Sequence, residues 1–209
     1  MKQATQEIKV NGVTTLDANV QIRHIGADGK AKPIFQENRL GIFLLDRGIL
    51  NPLWINSTLG KLASHLGIFG FWSEFKLAHN LITNAGKAAT ASRLNGNGAE
   101  AVFASIGQGI GTTAANAADT ALETERTAAG GASTVHAVAA ATASRVTTTV
   151  TNDTARFVGT ISEAATLAIT ESGVFNATTA GTMLCRQVFS AINVVSGDSL
   201  QFTWDIKAA

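Results

Sequence analysis

The stretch ASIGQGIGTTAANAADT, residues 104–120, comes nearest in this chain to a phosphate-binding loop. A dinucleotide-binding loop needs glycines at its first, third and sixth positions, whereas Gly107, Gly109 and Gly111 stand first, third and fifth. A Walker-type loop needs a lysine directly before its Ser or Thr, and Gly111 is followed by threonine. The glycines therefore predict a structural bend in the backbone, and no nucleotide or other cofactor is expected.

The residues that commonly bind metals are few and scattered. The four histidines are His24, His65, His79 and His136, which lie in four different contexts and form no HExxH pattern. Cys185 is the single cysteine, so an internal disulfide or a multi-cysteine zinc site is excluded. We expect no metal site, and we expect each histidine to have a structural role.

The sequence also lacks a recognisable catalytic arrangement. A Gly-x-Ser-x-Gly nucleophile motif does not occur, and Cys185 lies in an alternating run that predicts a buried thiol. Acid pairs such as Glu163 and Glu171 can be chosen freely from 15 acids, and the sequence gives no distance between them. We predict that the protein is not an enzyme and that it has no catalytic residues. A hydrolase stays open as an alternative. It would need an acid or a nucleophile with a perturbed pKa in a pocket.

Length, composition and charge limit the classes of protein. A chain of 209 residues with 45% hydrophobic residues can build a sizeable core. The 16 basic and 15 acidic residues give a net charge of +1 and are spread along the chain, which argues against direct nucleic-acid binding. The first ten residues, MKQATQEIKV, contain no apolar signal-peptide core, so synthesis in a cytoplasm is expected.

Residues 1–38 are predicted to form an N-terminal β-ribbon arm. Ile8 to Val10 precede an Asn-Gly dipeptide that suits a tight hairpin turn. The alternating run Val20 to Ile22 comes before the turn residues Ala27 to Gly29. Two ribbons are therefore expected.

Residues 39–79 are predicted to form an apolar, partly helical segment. Leu59, Leu62, Leu66 and Phe69 recur three or four residues apart, which predicts one helical face with Ser57 as its N-cap. Charged residues interrupt the segment, so a membrane span is not expected. Its apolar surface must pack on the protein's own core, on sister subunits or on another protein. The candidate partner-contact residues are Trp54, Leu62, Leu66, Phe69, Phe71 and Trp72.

Residues 80–209 are predicted to form a β-sandwich domain. A short helix capped by Asn84 is expected first, then a strand over residues 101–106 and one or two helical turns after Asp119. From Ser144 onward apolar residues alternate, and Leu200, Phe202, Trp204 and Ile206 form an inward row. The expected fold class is mainly β: an antiparallel β-sandwich or jelly-roll-like domain with N-terminal β-ribbons and one or two short helices.

Several segments of the second half together resemble a known family. They are NLITNAGKAATASRL, IGQGIGTTAANAADTALETE, SRVTTTVTNDTARFVGTI and AITESGVFNATTAGTMLCRQVFSAINVVSGDSLQFTWDI. This series resembles a widespread family of tailed-bacteriophage virion proteins, with ITESGVFN, MLCRQVF and GDSLQFTW as its most specific pieces. The likeness covers residues 80–209, and it departs from the family's Gly-Thr-Gly-Thr-Thr string because Gln108 and Ile110 intervene.

The resemblance implies assembly rather than chemistry. The expected function is a phage virion structural protein, a capsid decoration or cement protein that contacts the major capsid protein or other virion proteins. We also expect contacts with copies of itself, with a trimer as the expected oligomer. A tail, collar or fibre-attachment subunit is the alternative position in the virion. A carbohydrate-binding module, with Trp54, Trp72 and Trp204 as candidate contacts, is an alternative of another class.

Overall fold

The computed structural model describes residues 16–133, 135–137 and 141–208. The first half contains β1 (Leu16–Ile25), β2 (Ala31–Lys32), β3 (Ile34–Glu37), α1 (Arg39–Asp46), a 3-10 helix (Pro52–Asn56), α2 (Thr58–His65), β4 (Gly70–Ser73), β5 (Lys76–His79), β6 (Leu81–Ile82) and α3 (Asn84–Asn95). The second half contains β7 (Ser105–Gly109), β8 (Thr142–Val146), β9 (Thr154–Ser162), β10 (Leu167–Phe175), β11 (Met183–Val194) and β12 (Ser199–Ala208).

The strands form two main antiparallel sheets and one small one. The first sheet has the order β2-β1-β12-β9-β8, with β5 also paired to β1. The second has the order β6-β11-β10-β7, and β3 pairs with β4 in a sheet of two strands. Every pairing between these strands is antiparallel, which confirms the predicted mainly β, antiparallel class.

The two main sheets face each other across one apolar core. Phe202 and Trp204 of β12 share this core with Ile169 of β10 and Phe189 of β11. The predicted inward row on β12 is confirmed, because Leu200, Phe202, Trp204 and Ile206 are all buried. The period of two therefore positions this strand in a β-sandwich-like arrangement.

Strand β1 is part of the first sheet over its whole length. Its register with β12 runs from Leu16 opposite Ala208 to Ile25 opposite Ser199. The backbone then turns back at Gly26, whose N–H donates to the Lys30 carbonyl (2.8 Å), so the predicted hairpin at residues 27–29 is confirmed. The earlier ribbon predicted around Ile8 lies outside the described residues.

Three α-helices form in the part of the chain that the structure describes, where one or two short helices were expected. Ser57 caps α2 as predicted, since its hydroxyl accepts from the Gly60 N–H (2.9 Å). The cap of α3 is Thr83 rather than Asn84, because the Thr83 hydroxyl accepts from the Gly86 N–H (2.9 Å).

The predicted bend is wrong for Gly107 and Gly109, which lie in the buried strand β7, whereas Gly111 lies in the loop after it. A Cβ at Gly109 would lie 2.5 Å from the Glu171 carboxylate and 2.5 Å from the Thr124 carbonyl. Glycine is needed there so that neighbouring groups can approach the strand closely. The strand predicted over residues 101–106 is thus shifted toward the C-terminus.

The helical turns predicted after Asp119 are also absent, since residues 119–125 have no helical assignment. The Asp119 carboxylate accepts from the Asn116 N–H (2.8 Å) and pairs with Arg186 (2.7 Å). These contacts give it a role in a loop rather than in a helix cap.

Candidate interaction surface

Helices α1 and α2 each pack closely on the rest of the fold at a glycine. A Cβ at Gly41 of α1 would overlap the Phe69 carbonyl, and one at Gly60 of α2 would overlap the Trp54 carbonyl. Gly60 and Ser64 are the buried residues of α2. The inner face of α2 is therefore formed by small side chains that allow close backbone contact.

Several large apolar side chains of the same two helices face outward, although Leu45 of α1 is buried. Leu59, Leu62 and Leu66 are 79%, 58% and 66% exposed, at a spacing that places them on one helical face. On α1, Leu40 and Phe43 are about half exposed. We call these five residues the apolar surface. Helix α2 thus reverses the pattern of an ordinary surface helix, which buries its leucines, whereas α1 still buries Leu45.

The six predicted contact residues divide into two groups. Trp54 is 8% exposed and packs edge-on against Phe35 and Phe69, with ring centroids 5.4 and 5.3 Å apart. Phe69 is partly buried against the same cluster, so these two residues are core in this chain. The other four, Leu62, Leu66, Phe71 and Trp72, are exposed.

The sequence prediction missed Leu40 and Phe43 of α1. The available signal was glycine inside each helix, at Gly41 and Gly60, because glycine in a helix interior indicates close backbone packing on that side. The opposite face of each helix must then point away from the core.

A buried ion pair anchors the segment that carries the apolar surface. Lys76 of β5 donates to Glu37, to the Phe35 carbonyl (2.7 Å) and to the Ser190 hydroxyl (3.0 Å). The second Glu37 oxygen accepts from the Ser190 N–H (2.9 Å). Burial raises the pKa of Glu37, but Lys76 and Ser190 outweigh that effect and lower it. Strands β3, β5 and β11 are thus joined at one point beneath the segment.

A second buried polar cluster lies beside the glycine stretch, which was compared with phosphate-binding loops and did not match them. The Glu171 carboxylate accepts from the N–H groups of Gly111 (3.0 Å) and Thr124 (2.8 Å) and from Arg186 Nε (2.9 Å). Arg186 also donates to Asp119 (2.7 Å). These groups satisfy one another, so the cluster holds the loop after β7 against β10 and β11.

The other residues considered for chemistry lie apart in different surroundings. His24 bonds to Asp198 (2.8 Å) and His136 to Glu125 (2.8 Å), while His65 and His79 are exposed. The Cys185 thiol is buried as predicted, and burial raises its pKa. Within the described residues, no three His, Cys, Asp or Glu side chains are grouped as a metal site.

Glu163 and Glu171 do not act as a pair in the described structure, because each has its own partner. Glu163 accepts from the Gln108 side chain (2.8 Å), whereas Glu171 binds Arg186. Burial raises the pKa of Glu163, against the opposing effect of the Gln108 hydrogen bond.

Comparison of the chain with protein-family models, with curated proteins and with solved structures gave no match in any of the three. Among the described helices, none has the length and apolarity needed to cross a membrane.

Proposed function

We propose that the chain is a non-enzymatic structural protein of a tailed-phage virion and that it decorates and stabilises the capsid. The observation that carries the proposal is the apolar surface, where Leu59 and Leu62 of α2 and Leu66 at its C-cap are exposed to solvent. Burying a leucine that is otherwise left in water is worth about 1.5–3 kcal/mol, which a partner would supply on docking. The resemblance of residues 80–209 to phage virion proteins supports another virion protein as the partner.

The way the segment is held also supports docking. Both helices are fixed to the core by glycine contacts, and the Lys76 and Glu37 pair fixes the strands beside them. A rigid apolar face loses little conformational entropy when a partner covers it. The proposed partners are further copies of the chain, in a trimer, and the major capsid protein or other virion proteins. Many weak contacts then add up through repetition on the particle.

A thiol-directed gold label on the chain tests the proposal. Lys30 is 84% exposed in the turn after β1, and Cys185 is buried, so the Lys30→Cys variant offers one accessible thiol. Particles assembled with the labelled variant are purified and examined by electron microscopy. We expect label over the shell, and the unsubstituted chain serves as the unlabelled control. Label confined to the tail would assign a tail, collar or fibre-attachment position instead, and purified particles without label would overturn the proposal.

A further inference from the structure

A pocket of about 450 Å³ lies beside the apolar surface, where five parts of the fold meet. Its walls come from β1, the β2 and β3 region, the end of the 3-10 helix, α2 with β4, and β11. Phe35, Ile55 and Ala191 are buried at this junction and supply an apolar floor. The volume falls within the range of about 300–1,000 Å³ that is usual for ligand sites.

Two lysines and two histidines line this pocket. They are Lys32, Lys61, His24 and His65, and the lining contains no Asp or Glu. His24 and Lys32 both bind the buried Asp198 (2.8 and 2.7 Å), whereas Lys61 forms no ion pair within the described residues. The pocket therefore has a free cation at its α2 wall and favours an anionic ligand.

The pocket also has an aromatic wall and polar amides. Trp72 is 45% exposed, and its ring packs edge-on against Phe35 with centroids 5.7 Å apart. Opposite the helix, Asn193 donates to Asn56 (2.7 Å), and both amides are exposed. A half-exposed indole, neighbouring amides and a lysine suit a ligand with an apolar ring face, hydroxyl groups and a negative charge.

We propose that this pocket binds an acidic saccharide, a sugar ring that carries a carboxylate or a phosphate. Trp72 stacks on the ring face, Lys61 binds the acidic group and the Asn56 and Asn193 amides bind hydroxyls. Trp54 and Trp204 take no part, because both are buried in the core. The inference goes beyond the docking function and does not depend on it, since a single unassembled chain contains the whole pocket.

Intrinsic fluorescence of the full chain provides the readout. The chain has three tryptophans, and Trp72 is the one that the structure leaves half exposed, so a ligand in the pocket should change its emission. The probes are a uronic-acid tetrasaccharide, its carboxyl-reduced neutral analogue, glucose 6-phosphate and inorganic phosphate. We expect at least one acidic sugar to bind about tenfold more tightly than both the neutral analogue and inorganic phosphate. The sugar that binds identifies the source of the negative charge.

Two charge-neutralising variants separate the pocket from general surface charge. Lys61→Gln should weaken binding of the acidic sugar about tenfold, whereas Lys30→Gln, at an exposed lysine on another turn, should leave it unchanged. Trp72→Phe retains an aromatic ring, so its binding is followed by calorimetry and should weaken less than that of Trp72→Ala. The proposal is overturned if neither acidic sugar binds, if the neutral sugar or phosphate binds equally well, or if Lys61→Gln has no effect. Loss of particle attachment with intact sugar binding would count only against the docking function.

Discussion

Lys76 is a completely buried cation whose stability depends on its oxygen partners. It donates to Glu37, to the Phe35 carbonyl and to Ser190, and burial lowers its pKa despite the neighbouring carboxylate. We predict that Lys76→Met lowers the free energy of unfolding by about 3–5 kcal/mol, because Glu37 is then a buried charge without its partner. Urea unfolding of the variant measures this loss.

A second substitution identifies the cause of that loss. In Glu37→Gln/Lys76→Met both charges are gone, so the double variant should be more stable than Lys76→Met alone. The single variant Glu37→Gln completes the comparison. If the loss of the double variant relative to the native chain equals the sum of the two single-variant losses, the pair is not coupled and the interpretation is wrong.

His136 is placed so that both ring nitrogens face acceptors. Its Nδ1 lies 2.8 Å from Glu125 and its Nε2 lies 2.9 Å from the Ala180 carbonyl, while the ring stacks on Phe175. Burial opposes the charged form, but the hydrogen bonds to Glu125 and Ala180 outweigh it and raise the pKa of His136. The geometry therefore favours the imidazolium, which donates from both nitrogens.

The raised pKa predicts a pH-dependent contribution to stability. It is fully present below the usual histidine pKa of about 6.5 and is lost as the pH rises through the higher folded-state value. The difference in unfolding free energy between the native chain and His136→Gln should therefore shrink between about pH 5.5 and pH 8.5. A constant difference over this range, or an NMR-titrated pKa below the usual value, would show that the ring is held neutral.

Strand β7 needs glycine at position 109 because neighbouring groups lie too close for a Cβ atom. We predict that Gly109→Ala lowers stability by about 1–3 kcal/mol, because the added methyl group would meet Glu171 and the Thr124 carbonyl. Gly131→Ala is the matched control, since the nearest atom to its Cβ would be the Thr127 hydroxyl at 3.5 Å. Thermal unfolding of the two variants gives the comparison. Equal melting temperatures would contradict the packing described for β7.

Strand β12 supports the core from the middle of the first sheet. Trp204 is fully buried between the sheets, so Trp204→Ala should cost about 3–5 kcal/mol in unfolding free energy. Gln201→Ala on the same strand, at a partly exposed position, should change stability by less than about 0.5 kcal/mol. Similar losses in both variants would contradict the inward row.

At the scale of the whole molecule, local patterns could be predicted and long-range partners could not. The alternation in β12 specified a buried face because a strand has a period of two, and it was confirmed. The spacing of Leu59, Leu62 and Leu66 specified one helical face but not whether it faced the core or solvent. That orientation depends on the contact between Gly60 and Trp54, which is tertiary.

The buried polar clusters could not be predicted from sequence patterns. Lys76 lies 39 residues from Glu37 and 114 from Ser190, and no local motif links such positions. The glycines of β7 were misinterpreted for the same reason. The Glu171 carboxylate that approaches Gly109 belongs to β10, which pairs with β7 in the sheet but is remote from it in the sequence. Asn193 lies 137 residues from Asn56, so the pocket that they share with Lys61 also forms only in the folded chain.

Incorporation of a Leu62→Glu/Leu66→Glu double variant into phage particles tests the central claim most directly. Both leucines are exposed, so circular dichroism and thermal unfolding should match the native chain, while docking should fail because two charges would be buried in the contact. Leu94→Glu is the control, at an 85% exposed leucine on α3 outside the apolar surface. Quantitative mass spectrometry of purified particles should show at least about a tenfold loss of the double variant and normal amounts of the control. Normal incorporation of the folded double variant would contradict the account.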